Sequence, residues 1–74
     1  EIQWIRNDLE MRDNESRDYE VRIRYRQPLQ KARLFRKDGE MFIIFDRLQR
    51  GITAGQFAAW YDGEELLGSG VIDM

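Results

Sequence analysis

Cysteine and histidine are both absent from the 74 residues. Without cysteine there are no disulfides, no thiolate zinc sites and no thiol nucleophiles. Without histidine the usual general base near neutral pH is missing. The hydroxyl nucleophiles come down to Ser16, Ser69 and Thr53, with no imidazole to activate them. Catalysis by this chain alone is therefore not expected. No apolar run approaches the roughly 20 residues of a membrane span. The opening residues, Glu1 to Glu10, mix charge and apolar groups and do not read as a signal peptide. The chain starts at Glu1 rather than methionine and is expected to be cut from a longer protein. The lack of cysteine fits a cytoplasmic home. Asp46, Asp62 and Asp73 do not have metal-ligand spacing, and no metal is assigned.

What is present suits one small folded domain. Apolar residues make up 42% of the chain, which supports a core. At this length about 60% of the unfolded chain's surface becomes buried. The net charge of −2 argues against a general polyanion binder. Its distribution argues differently: residues 1–16 carry −3, residues 17–37 carry +6 and residues 38–74 carry −5. Such segregation can create one positive face at low net charge. Equally, basic strands can lie beside acidic ones and form cross-strand ion pairs.

The basic segment has a clear period. Tyr19, Val21, Ile23 and Tyr25 alternate with Glu20, Arg22, Arg24 and Arg26. Alternation of period two is the mark of a strand with one buried and one wet face. Side chains two apart on a strand stand roughly 7 Å from each other. Arginines at that spacing suit successive phosphates, and the guanidinium fork matches phosphate oxygens. RNA is the first partner this ridge suggests.

Further strands follow. The alternating strand is expected over residues 19–27 and is stopped by Pro28, which has no N–H for the ladder. A second is expected over residues 31–36, with Ala32 and Leu34 inward. Asp38-Gly39 between apolar runs signals a hairpin. Residues 41–45, Met-Phe-Ile-Ile-Phe, are apolar on both faces and are expected to form a central strand. Residues 46–56 read as a longer connection in which Gly51 and Gly55 are free to take positive φ. Strands are expected over residues 57–61 and 65–72, joined at Asp62-Gly63. Gly68 and Gly70, two apart on one face, suggest a sharp bend or the close approach of another backbone. Ile2, Trp4 and Ile5 read as a strand remnant of a preceding domain, and residues 6–18 as a charged linker or mobile loop. The expected organisation is thus an N-terminal segment and linker over 1–18 and a β-domain over 19–74. Short strands at about ten-residue spacing point to an all-β fold, a small antiparallel β-barrel of five to six strands. Closure would remove sheet edges.

Three segments, taken in order, carry a resemblance. They are Arg24-Tyr25-Arg26-Gln27; then Phe45-Asp46 with Gln49-Arg50-Gly51-Ile52-Thr53-Ala54-Gly55-Gln56; then Tyr61-Asp62-Gly63 with Leu67-Gly68-Ser69-Gly70-Val71-Ile72. Together they resemble the C-terminal domain of the bacterial tRNA-specific 2-thiouridylases over about residues 19–73. Ile2-Gln3-Trp4-Ile5 looks like that family's segment just before the domain. Leu48 and Ala54 stand where the family usually has prolines, and Ser69 replaces its middle glycine. The resemblance implies a barrel similar to the elongation-factor type that helps hold tRNA. It implies a parent enzyme that activates the wobble uridine with ATP and replaces its 2-oxygen with sulfur delivered as a persulfide, with a sulfur-relay protein as a possible partner. The ATP loop and catalytic cysteines of that family lie outside this chain, so no cofactor is expected here. Neither a membrane nor DNA is implied as a partner.

The candidate RNA-binding residues are Arg22, Arg24, Arg26, Gln27, Arg50 and Gln56. The three arginines either contact phosphate or form a solvated face with ion pairs. Gln27 either hydrogen-bonds a base or ribose, or caps the strand end. Arg50 and Gln56 flank a loop whose backbone N–H groups either meet phosphate or only shape a turn. Lys31, Arg33, Arg36 and Lys37 would extend the basic area, with simple solvation the blander reading. Trp60, Tyr61, Phe57, Phe42 and Tyr25 are expected in the core rather than as stacking platforms.

Overall fold

The computed structural model describes residues 2–23, 28–47, 49, 52 and 54–73. Six strands occur among them: β1 (Ile2–Trp4), β2 (Ser16–Arg22), β3 (Gln30–Lys37), β4 (Glu40–Phe45), β5 (Phe57–Asp62) and β6 (Glu65–Val71). One 3-10 turn covers Asn7–Leu9. The strands form a single sheet in the order β1-β6-β5-β2-β3-β4, and every pairing is antiparallel. The all-β antiparallel fold is as expected. Closure is not seen among the described residues, because the order begins at β1 and ends at β4 with no pairing between them. The sheet curls instead. Side chains of both edge strands line one concave cleft of about 540 Å³, with Ile2 and Trp4 on one side and Met41, Ile43 and Phe45 on the other.

Alternation explains the core. Val21 and Ile23 are buried as the period-two pattern requires, and so are Ala32 and Leu34 on β3. Val21 pairs with Trp60, which turns Trp60 inward and leaves Phe57, Ala59 and Tyr61 on the opposite face of β5. Trp60 is almost fully buried and meets Trp4 edge to face, with ring centroids 5.4 Å apart at 64°. Gly68 makes room for that pair. A Cβ there would stand 2.8 Å from the Gln3 carbonyl oxygen and 2.8 Å from Trp60 Nε1. The close backbone approach suggested by the paired glycines therefore exists, between β6 and β1. β6 also bulges, since Trp60 faces Gly68 while Tyr61 faces Leu66, and the extra residue, Leu67, is buried.

The hairpins follow their turn chemistry. Asp38 and Gly39 both have positive φ, 53° and 78°, as a type I′ turn demands. Gly63 has φ 63° at the first position of the β5–β6 loop, where a type II′ turn favours glycine.

Three expectations are corrected. Ile2–Trp4 is not a remnant of another domain, because it pairs with β6 in the common sheet. The stretch read as a linker is ordered: Met11 joins the core, the amide of Asn14 donates to the Arg36 carbonyl at 2.6 Å, and β2 begins at Ser16. Polar composition hid this, because one buried methionine and a few backbone hydrogen bonds are enough to fasten a short segment. Finally, among the described residues β4 is an edge strand and not central. Its outward residues Phe42 and Ile44 are 46% and 59% exposed. Strand β2 ends at Arg22, with Ile23 in a bend, and Tyr25 lies outside the described residues.

Candidate nucleic-acid interface

Register decides what surrounds each outward cation. On the convex face Asp18 of β2 lies opposite Arg33, and Glu20 lies opposite Lys31 on one side and Tyr61 on the other. Arg33 donates from Nε to Asp18 Oδ1 at 2.9 Å. The pair holds the Asp18 carboxyl below its usual range, chiefly through that hydrogen bond, and raises the guanidinium pKa. An open cleft of about 800 Å³ here is lined by Lys31 and Arg33, but also by Asp18, Glu20, Asp46 and Asp62. Charges of both signs interleave on it, as the ion-pair reading of the charge segregation expects.

Other arginines are likewise engaged. Arg6 bridges Asp8 and Glu65. Arg17 donates to the Leu9 carbonyl, to the Tyr19 hydroxyl at 3.3 Å and to Glu15 at 3.1 Å. Its pKa is raised, first by the Tyr19 hydroxyl and then by Glu15, against the opposing effect of burial. Arg36 faces the inner side of β3, with its Nε 3.9 Å from Asp13. Thus Arg33 and Arg36 do not extend an open basic area.

Arg22 differs. It forms no ion pair among the described residues. Its guanidinium carbon stands 5.6 Å from the centroid of the Tyr61 ring, and its Nε is buried without a hydrogen-bond partner. The outward row it heads runs across four strands, from Arg22 to Ala59, Ser69 and Gln3. That row holds one cation, no carboxylate and short side chains in its middle. The next row on β5 and β6 is the pair Phe57 and Val71, 64% and 42% exposed.

Of the six candidate residues, Arg22 and Gln56 are described. The Gln56 carbonyl accepts the Ile72 N–H at 2.7 Å, and the Gly55 N–H donates to the Ile72 carbonyl at 2.9 Å. Gly55 has the expected positive φ, 91°. Arg24, Arg26, Gln27 and Arg50 lie outside the described residues. The expectation that Phe57 and Phe42 are core residues is corrected, since both rings are exposed; Tyr61 is half-buried beneath Arg22. Both faces of β5 carry aromatics, so alternation alone could not say which one faces water. The pairing of Val21 with Trp60 does.

Sheet, turns and register define a small all-β module with one curled antiparallel sheet and a convex face of mixed charge. The chain belongs to the aminomethyltransferase beta-barrel domain family, which matches residues 1–72. Among relatives, it is 53% identical over 72 residues to the tRNA-specific 2-thiouridylase MnmA of Christiangramia forsetii, covering 97% of this chain and 18% of that protein. It is 51% identical to the protein of the same name from Flavobacterium johnsoniae, with the same coverage. The Bacillus subtilis counterpart is 40% identical over 73 residues, 97% of this chain and 19% of that protein. The chain therefore spans about a fifth of the length of the curated relatives it matches. The resemblance to the 2-thiouridylases is borne out, and the match reaches back through β1.

Proposed function

We propose that this chain is a non-catalytic, tRNA-contacting barrel domain of a cytoplasmic tRNA 2-thiouridylase, and that it works by electrostatic positioning. On this reading Arg22, Arg24 and Arg26 hold the phosphate backbone, with Gln27, Arg50 and Gln56 beside them. Adenylation with ATP and sulfur transfer, with sulfur handed on by a relay protein, take place elsewhere in the longer polypeptide. The observation that carries the reading is Arg22, a cation on the convex face that forms no ion pair among the described residues, although Glu20 stands two positions along the same face. Phosphate contacts of this kind set the register of the RNA and carry little sequence information. The test is equilibrium binding of tRNA to the polypeptide across a salt series. Arg22→Ala and Arg24→Ala should each weaken binding and flatten the slope of log K against log salt by about one unit. Unchanged slopes would rule out a phosphate site.

A second reading is a docking module that packs on other parts of the same polypeptide or on a sulfur-relay protein. The exposed Phe42 and Ile44 on the edge strand β4 favour it. Under that reading Ile44→Lys would weaken the protein contact and leave tRNA affinity as it was.

A further inference from the structure

The convex face of β5 has an aromatic pattern that phosphate contact alone does not use. Phe57, Ala59 and Tyr61 share that face. Phe57 is 64% exposed, the most exposed large apolar side chain among the described residues, and its cross-strand partner Val71 is exposed as well. Tyr61, four residues along, lies under the Arg22 guanidinium. Among the described residues, Ala59 lies between the two rings, flanked by Ser69 on one side and Arg22 on the other. The surface from Phe57 to Arg22 thus carries an exposed ring at one end and a cation held over Tyr61 at the other.

We propose that this face is a stacking platform for an unpaired stretch of RNA, with Phe57 carrying a base and Arg22, held on Tyr61, meeting the adjoining phosphate. The proposal rests on the RNA reading above and adds to it the single-stranded character of the ligand. An aromatic ring on an open sheet needs the face of a base, and a duplex hides that face within its stack. Arginine is the cation suited to this place, because its plane can lie on Tyr61 while its amines remain donors to phosphate oxygens. The Arg22 row itself bears no carboxylate, and Glu20, the nearest on this face by register, lies opposite Tyr61 on the side away from Phe57.

Fluorescence anisotropy tests this with two probes, a labelled 12-nucleotide single-stranded RNA and the blunt duplex of the same sequence. Each is titrated with the 74-residue chain and with the longer natural polypeptide that carries it. Phe57→Leu should cost about tenfold in affinity for the single strand, with the duplex and the salt slope unaffected. Phe57→Trp should restore the affinity. The exposure of Phe57 predicts unchanged thermal melting in both variants, which keeps folding out of the comparison. Equal losses on both probes, or no loss on either, would overturn the platform and leave the phosphate reading standing. If Phe57→Leu instead abolished self-association or capture of a protein without touching RNA binding, the platform would also fall. If Arg22→Ala left the salt slope of both probes unchanged, or neither probe bound, the RNA reading beneath it would fall too.

Discussion

Gly68 shows how one residue can hold two elements together. Its lack of a Cβ lets the Gln3 carbonyl and the Trp60 indole approach to distances no side chain would allow. The constraint is steric rather than conformational, because the close neighbours are a backbone atom of a paired strand and a ring already wedged against Trp4. Gly68→Ala should therefore destabilise the fold by roughly 1–3 kcal/mol, the range for overpacking a filled core. Chemical denaturation followed by tryptophan fluorescence measures it, and unchanged stability would mean that β1 and Trp60 can shift freely. The spacing of Gly68 and Gly70 made a close approach legible beforehand. Which backbone approaches was not legible, because Gln3 lies 65 positions away. Arg22 makes the same point for function. Alternation put it on the wet face, but its partner Tyr61 depends on the register between β2 and β5.

At the scale of an element, β4 carries the largest departure from expectation. Its residues are apolar on both faces, the usual mark of a strand covered on both sides. Here the inner set, Met41, Ile43 and Phe45, lines the concave cleft. The outer set, Phe42 and Ile44, faces water beside Phe35, and one backbone edge lacks a strand partner among the described residues. A short apolar strand with an open edge is a template for pairing with another chain. The isolated chain should therefore self-associate as its concentration rises. Ile44→Lys should suppress that association with little change in melting temperature, because the side chain is exposed and the new charge stands on the edge. Sedimentation of the two proteins over a concentration series checks it, and matching profiles would absolve β4. Tight turns and the bounds of β3 to β6 were legible within a residue or two, since Asp-Gly acts locally, whereas β2 runs from Ser16 to Arg22 and not over the expected 19–27. The place of β4 in the sheet depended on what the rest of the chain did.

For the whole molecule, opposite charges that are separate in sequence meet in space. Arg33 reaches Asp18, Arg6 reaches Glu65 and Arg36 approaches Asp13. Three carboxylates are held below their ordinary range: Asp8 by its hydrogen bonds from Arg6, Asp18 by Arg33, and Glu15 first by the Arg12 backbone N–H and then by Arg17. A depressed carboxylate pKa stabilises the fold above the unfolded-state pKa of about 4, and the contribution is lost as pH falls through the folded value. The domain should thus lose stability on acidification below about pH 4. Asp18→Asn should narrow the difference between denaturation midpoints measured at pH 7 and pH 3. An undiminished difference would show that the Asp18 pair contributes nothing, as is true of many exposed pairs. The same pairing shapes the candidate interface. It neutralises Arg33 and leaves Arg22 in a row without carboxylates, a contrast that the +6 of residues 17–37 could not reveal.

By itself the sequence determined what short-range physics controls. Period-two alternation set the buried face of β2 and β3, Asp-Gly pairs set the hairpin turns, and the missing cysteine and histidine removed thiol and imidazole chemistry from the chain. Motif order supplied the family, because spacing along a chain survives without knowledge of contacts. Tertiary structure alone decided that β1 and residues 5–15 belong to the sheet and core, that β4 lies at an edge, and that Phe57 and the Arg22–Tyr61 pair share one open face. Each of these depends on which strands become neighbours and in what register. That choice is made by burial and hydrogen bonding between residues far apart in the chain, and no local pattern encodes it.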